Sequence, residues 1–260
     1  MNISTFNEIK YCQFDSFPHE GIAHGIFMRH GGCSPTPWNS LNLSTTGGDS
    51  IENVVENRRR VLASLELDPE YFFDVWQVHS SEVIIAEKNK GSNQPYTKAD
   101  AIITSKPGIS LLMRFADCVP IFLFDPTQKV IAIVHAGWIG TLDLIALKTV
   151  KKMECVFGSR PKNIIAGIGP SICVTHYPVG DKVIKKLITM FPENWMDYVK
   201  NYDEKSHLDL WKLNKYILER SGIINIDISG LCTVCDKGNW FSHRGENGKT
   251  GRFAGVISML

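Results

Sequence analysis

ISLLMRFADCVPIFLFDPTQKVIAIVHAGWIG, residues 109–140, holds three apolar runs rich in β-branched and aromatic residues, Ser110–Phe115, Ile121–Phe124 and Val130–His135. They read as strands, and they follow one another with no helical pattern between them. Outward from this stretch the same signal marks Ile22–Met28, Asp74–Val78, Val83–Glu87, Ala101–Thr104, Ile164–Ile168, Ile226–Ser229 and Phe253–Met259. Four helical patterns, each with an apolar stripe, cover Ile51–Leu65, Leu142–Phe157, Val179–Phe191 and Leu208–Arg220, with Gly158, Pro192 and Gly222 as stops. Gly32–Gly48 and Lys88–Lys98 read as surface loops. Adjacent strand pairs without a steady strand–helix rhythm argue for an α+β architecture of mixed sheets covered by helices, and against a parallel barrel or doubly wound sheet.

The 260 residues are 43% hydrophobic and 21% charged, enough for one large, well-cored domain spanning 1–260, with no repeat or linker inviting a cut. Lys+Arg at 28 against Asp+Glu at 27 gives a formal charge of +1, too small a field to gather nucleic acid or an anionic membrane. MNISTFNEIK has neither the basic start nor the apolar core of a signal peptide, and Arg114 and Asp117 break the greasiest run. Seven dispersed cysteines do not form a disulfide framework, so a reducing cytoplasm is expected.

His79, Cys118 and His135 each stand at or near the end of an apolar run. Imidazole and thiolate are the donors zinc prefers, and three protein ligands leave one tetrahedral position for water or substrate. Cys118 lies in Ala-Asp-Cys-Val-Pro, where Pro120 forces extended backbone before it; taken alone it also fits an inert buried thiol. His135 precedes Gly137–Thr141, a glycine-rich turn opening a helix near Leu142, whose free N–H groups suit phosphate or an oxyanion; a plain capping turn is the alternative. Strand alternation would put Gln77 and His79 on one face. Arg58 falls on the buried stripe of Ile51, Val54, Val55, Leu62 and Leu65, where it either snorkels past the core or meets an anion. Phe241–Gly245 with Gly251-Arg252 supplies an imidazole and two guanidiniums in a plausible anion cradle, or an exposed basic turn. Cys232-Thr-Val-Cys235 has half-zinc-site spacing, with no second Cys-x-x-Cys to complete it.

Taken in order, His24–Phe27, Arg29–Gly32, Ser40–Leu43, Gly48-Asp49, Glu56–Arg58, Gln77–His79, Ala116–Pro120, His135–Thr141, Gly169–Ile172, Cys232-Thr233 and Phe241–Arg244 resemble the YfiH family, once labelled polyphenol oxidase or laccase-domain. The resemblance implies a four-layer α/β/β/α sandwich with mixed sheets, a fold shared with bacterial toxin deamidases that use Cys and His. It implies zinc on His79, Cys118 and His135, which would also be the catalytic residues, with copper as a substitute ion. It implies phosphorolysis of purine nucleosides (adenosine, inosine, 5′-methylthioadenosine), with adenosine deamination as a side activity.

On that reading Arg58 and Arg244 hold phosphate, and Ser40 and Asn42 contact the nucleoside. Two positions depart from the family: Ile139 where Arg or Lys is usual, and Pro178 where Glu is usual. The toxin kinship leaves open a Cys118–His135 amidase or deamidase, and the Ile139 departure leaves open a non-catalytic metal- or partner-binding protein. A copper phenol oxidase has least support, because one His/Cys/His set cannot supply several copper centres. Oligomeric state is not legible in the sequence.

Overall fold

The chain opens with β1 (Asn2–Phe6), β2 (Ile9–Gln13) and β3 (Ile22–Phe27), followed by helix α1 (Ile51–Ala63) and the short β4 (Phe72–Phe73). Next come β5 (Val83–Ile85), β6 (Ala101–Thr104), β7 (Ser110–Phe115), β8 (Val119–Asp125) and β9 (Val130–Ala136). The last part runs α2 (Trp138–Leu142), α3 (Ile145–Phe157), β10 (Ile165–Ile168), α4 (Asp181–Met190), β11 (Val199–Tyr202), β12 (Lys205–Leu208), α5 (Leu210–Arg220), β13 (Asn225–Ile228) and β14 (Phe253–Met259). This computed structural model describes residues 1–88 and 96–260; within the expected loop Lys88–Lys98, residues 89–95 lie outside the described residues.

Two six-stranded mixed sheets form, ordered β1-β2-β3-β14-β7-β4 and β13-β10-β8-β9-β6-β5. Side chains alternate across each strand, so every apolar run feeds two layers. From β8, Phe122 and Phe124 point between the sheets, joining Ile26, Met113, Phe115, Phe253 and Ile257 of the facing sheet. Ile121 and Leu123 point the other way, into a layer closed by Leu142, Ile145, Val150, Leu187, Leu213 and Ile217 of α2–α5. The opposite outer face, with Phe27, Leu112 and Val256, is covered by Val61 and Leu62 of α1 and by Leu41 and Leu43. The layers are helix, sheet, sheet, helix. Burial on both faces explains why β8 and β9 read as continuous apolar runs.

Several expected elements change. Asp74–Val78 is not a strand; its ladder is reduced to one bridge between Trp76 and Lys98, because the next N–H groups turn onto the carboxylate of Asp100. The expected helix Leu142–Phe157 is two helices, starting directly after Gly137 and broken at Leu144, which takes a left-handed φ of 60°. The buried face of α1 is Val54, Asn57, Val61 and Leu62, while Ile51 and Val55 are exposed. Asn57 draws that face inward: its amide donates to Ser34 Oγ and to the carbonyls of Ser40 and Asn42. Those bonds bury the middle of the expected surface loop Gly32–Gly48, where Leu41, Asn42 and Leu43 have no exposure.

His24 on β3 is buried, stacks against Phe14 and accepts the Phe14 N–H at Nε2, 2.9 Å away. Burial pushes its imidazole down from an ordinary 6.5 to about 4, with the charge of His19 adding to the effect. The folded chain therefore refuses a proton that the unfolded chain takes, and stability is lost as pH falls from 6.5 toward 4. Urea unfolding should show about 2 kcal/mol lost at this site by pH 5. His24→Gln should flatten the pH 7.5 to pH 5 difference by about that amount; an unchanged slope would exclude His24 as its source.

Candidate active site

The β8–β9 register pairs Val119 with Ala136 and Pro120 with His135, so Cys118, just before β8, stands beside Gly137. A Cβ on Gly137 would lie 3.0 Å from Cys118 Sγ and 3.1 Å from His79 Cδ2, which is why glycine is needed there. His79 arrives on the loop after Trp76 with φ of 57°, and its ring lies 4.9 Å from that of His135. The ligand atoms of His79, Cys118 and His135 all fall within 4.8 Å of one another. The structure thus brings together the three residues expected from distant segments.

Asp100, fully buried before β6, organises this trio. Its carboxylate accepts the N–H groups of Val78 (3.2 Å), His79 (3.1 Å) and Ser80 (2.6 Å), the Ser80 hydroxyl (2.7 Å) and His135 Nδ1 (2.8 Å). Burial opposes ionisation of Asp100, but these donors hold its carboxyl below the usual range. Burial likewise opposes charge on Cys118 and His135. Their mutual attraction, aided by Asp100 and His79, nevertheless pulls the thiol down and lifts the imidazole, favouring a thiolate–imidazolium pair. With Nδ1 held by Asp100, Nε2 of His135 is left to ligate. Two imidazoles and one thiolate at this spacing fit a zinc-class ion.

Cys118 is aimed by Asp117, which takes a left-handed φ of 81°. Its carboxylate accepts Thr233 Oγ1 (2.7 Å), Ser242 Oγ (2.6 Å) and the Arg244 N–H (2.6 Å), tying the bend to two distant loops.

The trio opens into a cleft of about 410 Å³. Its wall includes the aromatic residues Trp76, Tyr96, Trp138 and Tyr177, the arginines Arg114, Arg244 and Arg252, and Ser44, Thr45 and Thr46. Arg244 lies over the Tyr177 ring at 5.4 Å and donates to the Pro178 carbonyl at 3.3 Å, so Pro178 contributes its backbone at the departing position. Gln77 also lines the cleft, its amide donating to the Arg114 carbonyl and accepting the Arg114 N–H.

Of the expected substrate contacts, Arg244 is on the wall; Ser40, Asn42 and Arg58 are not. Ser40 Oγ is used within its own loop, accepting Gly32 N–H and donating to the Arg29 carbonyl. Asn42 is fully buried, donates to Asp49 and Ser44 O, and accepts the Ser44 and Arg252 N–H groups. Arg58 meets a carboxylate rather than a ligand: its Nη2 is 3.9 Å from Asp74, and its guanidinium lies 4.5 Å from the Phe72 ring centre. Ile139 is absent from the wall, as are Cys232 and Cys235. Asp100, Arg114, Tyr177 and the Ser44–Thr46 hydroxyls were not singled out in the sequence. A buried carboxylate with no local spacing motif leaves no signal there.

The family model described as multi-copper polyphenol oxidoreductase laccase matches residues 23–260. The purine nucleoside phosphorylase YlmD of Bacillus subtilis is 35% identical over 248 residues, covering 92% of this chain and 88% of that protein. Among solved structures, YlmD from Geobacillus stearothermophilus superposes with a TM-score of 0.91 at 30% identity, covering 98% of this chain and 97% of that one. The Bacillus licheniformis hypothetical protein YfiH gives 0.87 at 33% identity, covering 92% and 93%. On these matches the chain belongs to the laccase-like YfiH family, and its named relatives support an enzyme of the purine nucleoside phosphorylase kind.

Proposed function

We propose that this chain is a zinc-dependent purine nucleoside phosphorylase acting on adenosine, inosine and 5′-methylthioadenosine, with adenosine deamination as a side reaction. The observation that carries the reading is the cleft itself, which gathers a three-donor metal trio, three arginines and four aromatic residues in a volume suited to a nucleoside. His79, Cys118 and His135 would hold the ion, copper substituting where it is abundant because it outcompetes zinc at such donors. Bound there, the ion supplies a fixed positive charge and Lewis acidity at one open position.

Arg244, with Arg114 and Arg252, would hold inorganic phosphate. Tyr177 and Trp138 would flank the purine, and the Ser44–Thr46 hydroxyls would meet the ribose. Asn42 acts one step behind, fixing both ends of Ser44's peptide geometry. Arg58 acts through Asp74, whose carboxylate also lies 3.2 Å from Arg114 Nη1. A phosphate oxygen bonds to C1′ as the C1′–N9 bond breaks, its electron pair leaving with the base, which takes a proton from water. Positive charge develops on the sugar, and the guanidiniums keep the phosphate anion aligned beneath it. The thiolate–imidazolium pair favours one second reading, Cys118 as nucleophile with His135 as acid–base in a metal-free amidase.

Three measurements check this. Zinc-loaded protein given adenosine and phosphate should release adenine and ribose 1-phosphate, and Cys118→Ala should lose at least about 100-fold; no ribose 1-phosphate above that control rejects the reading. Asp100→Asn should weaken zinc binding by about 10–100-fold in competition with a chelating dye, by freeing the His135 tautomer and the His79 loop. In metal-stripped protein, iodoacetamide labelling of the Cys118 peptide should rise with a midpoint near pH 6, and zinc should protect it. Amide hydrolysis by the chelated protein that is lost in Cys118→Ala would favour the nucleophile over the ion.

A further inference from the structure

Outside the cleft, Cys173 and His176 come together with Cys232 and Cys235, and their four ligand atoms lie within 4.8 Å of one another. His176 sits in the turn Val174–His176, directly after Cys173. Its Nδ1 is 3.3 Å from Cys173 Sγ, 3.5 Å from Cys235 Sγ and 3.8 Å from Cys232 Sγ. Hydrogen bonding cannot satisfy this convergence, because one imidazole nitrogen either donates one proton or accepts one, and three thiols crowd it. A tetrahedral zinc ion with Zn–S near 2.3 Å and Zn–N near 2.05 Å has S···N edges of about 3.6 Å, in the middle of the observed range.

The sequence spacing agrees. Cys173-x-x-His176 and Cys232-x-x-Cys235 are two half-sites of the length zinc modules use, the former supplying the partner that a second Cys-x-x-Cys would otherwise provide. Two backbone donors are aimed at one of the sulfurs: the N–H groups of Cys173 and Cys235 both point at Cys232 Sγ, at 3.3 and 3.5 Å. Donors on sulfur stabilise its ionised form, as outer partners do around metal ligands.

We propose that Cys173, His176, Cys232 and Cys235 form a second, structural zinc site, closed by four protein ligands and distinct from the open trio. Binding releases the thiol protons to solvent and fastens segment 171–177 to segment 231–236. Both segments support the cleft. Thr233, between the two cysteines of one half-site, donates to the Asp117 carboxylate, and Ile172, beside Cys173, donates its N–H to the Asp117 carbonyl at 3.0 Å. Asp117 sets the bend that aims Cys118, and Tyr177, next to His176, lines the cleft. The clasp therefore holds one cleft wall and the base of one ligand of the trio without touching substrate.

Zinc content of the purified full-length chain, with free thiols blocked and disulfides mapped by mass spectrometry, tests this. Wild type should carry about two zinc per chain, Cys118→Ser about one and Cys235→Ser about one. Cys235 is exposed, so its substitution opens no buried void. The cobalt form of Cys118→Ser, whose clasp is intact, should show an intense thiolate-to-cobalt absorption, a readout that does not depend on Cys235→Ser folding, and absence of that band would count against the clasp. Wild type with about one zinc and Cys118→Ser with none would overturn the clasp while leaving the cleft metal standing. Full zinc retention by Cys235→Ser, or a disulfide within the four residues, would also overturn it.

Discussion

The geometry of the cleft depends on one buried carboxylate. Asp100 is fully enclosed, and an ion in that position is costly unless every lone pair is served. It is served by donors from both sides of the trio: consecutive amides at Val78, His79 and Ser80, and the ring of His135. A single charge thus fixes the left-handed backbone at His79 and the tautomer of His135 together. Among the described residues the loop carrying His79 has no ladder beyond the Trp76–Lys98 bridge, so those amide bonds are what places the imidazole.

The backbones of the other two members of the trio depend on a different constraint, the pairing of β8 with β9. Their register is set by apolar burial on both faces, since Phe122 and Ile133 must enter the inter-sheet layer while Ile121 and Val134 enter the helix-side layer. The backbones of Cys118 and His135 are therefore placed by core packing, while Asp117 and Asp100 orient the side chains. The helix-covered side also supplies Trp138 and Tyr177 to the cleft wall, so one core serves as both scaffold and pocket margin.

The sequence made the central strands legible, because near-continuous apolar runs over Ala101–Thr104, Ser110–Phe115 and Val130–His135, the first and last β-branched, follow directly from two-sided burial. The polar strands β1, β2, β11 and β12 were not expected; four of five residues in β1 are exposed and give no apolar period. The trio was readable because its members end apolar runs. What lay out of reach was everything decided across the fold: Asp100, the sharing of Asp74 by Arg58 and Arg114, and the meeting of Cys173 and His176 with a distant Cys-x-x-Cys. The inward face of α1 was misread for a related reason, since Asn57 is buried for its hydrogen bonds and not for hydrophobicity.

The two ends of the β8–β9 hairpin have opposite tolerances. Beyond Asp125 and Val130 the chain reverses through Thr127 and Gln128, whose N–H groups fold onto Asp125, at the end of the ladder away from Cys118. Extra residues in that reversal would leave every rung of the pairing intact. One residue added within Val119–Phe124 would exchange the two faces for part of the strand, burying the wrong side chains and offsetting the thiol from the imidazole by a rung. Added length in this hairpin is therefore tolerable only at its distal turn.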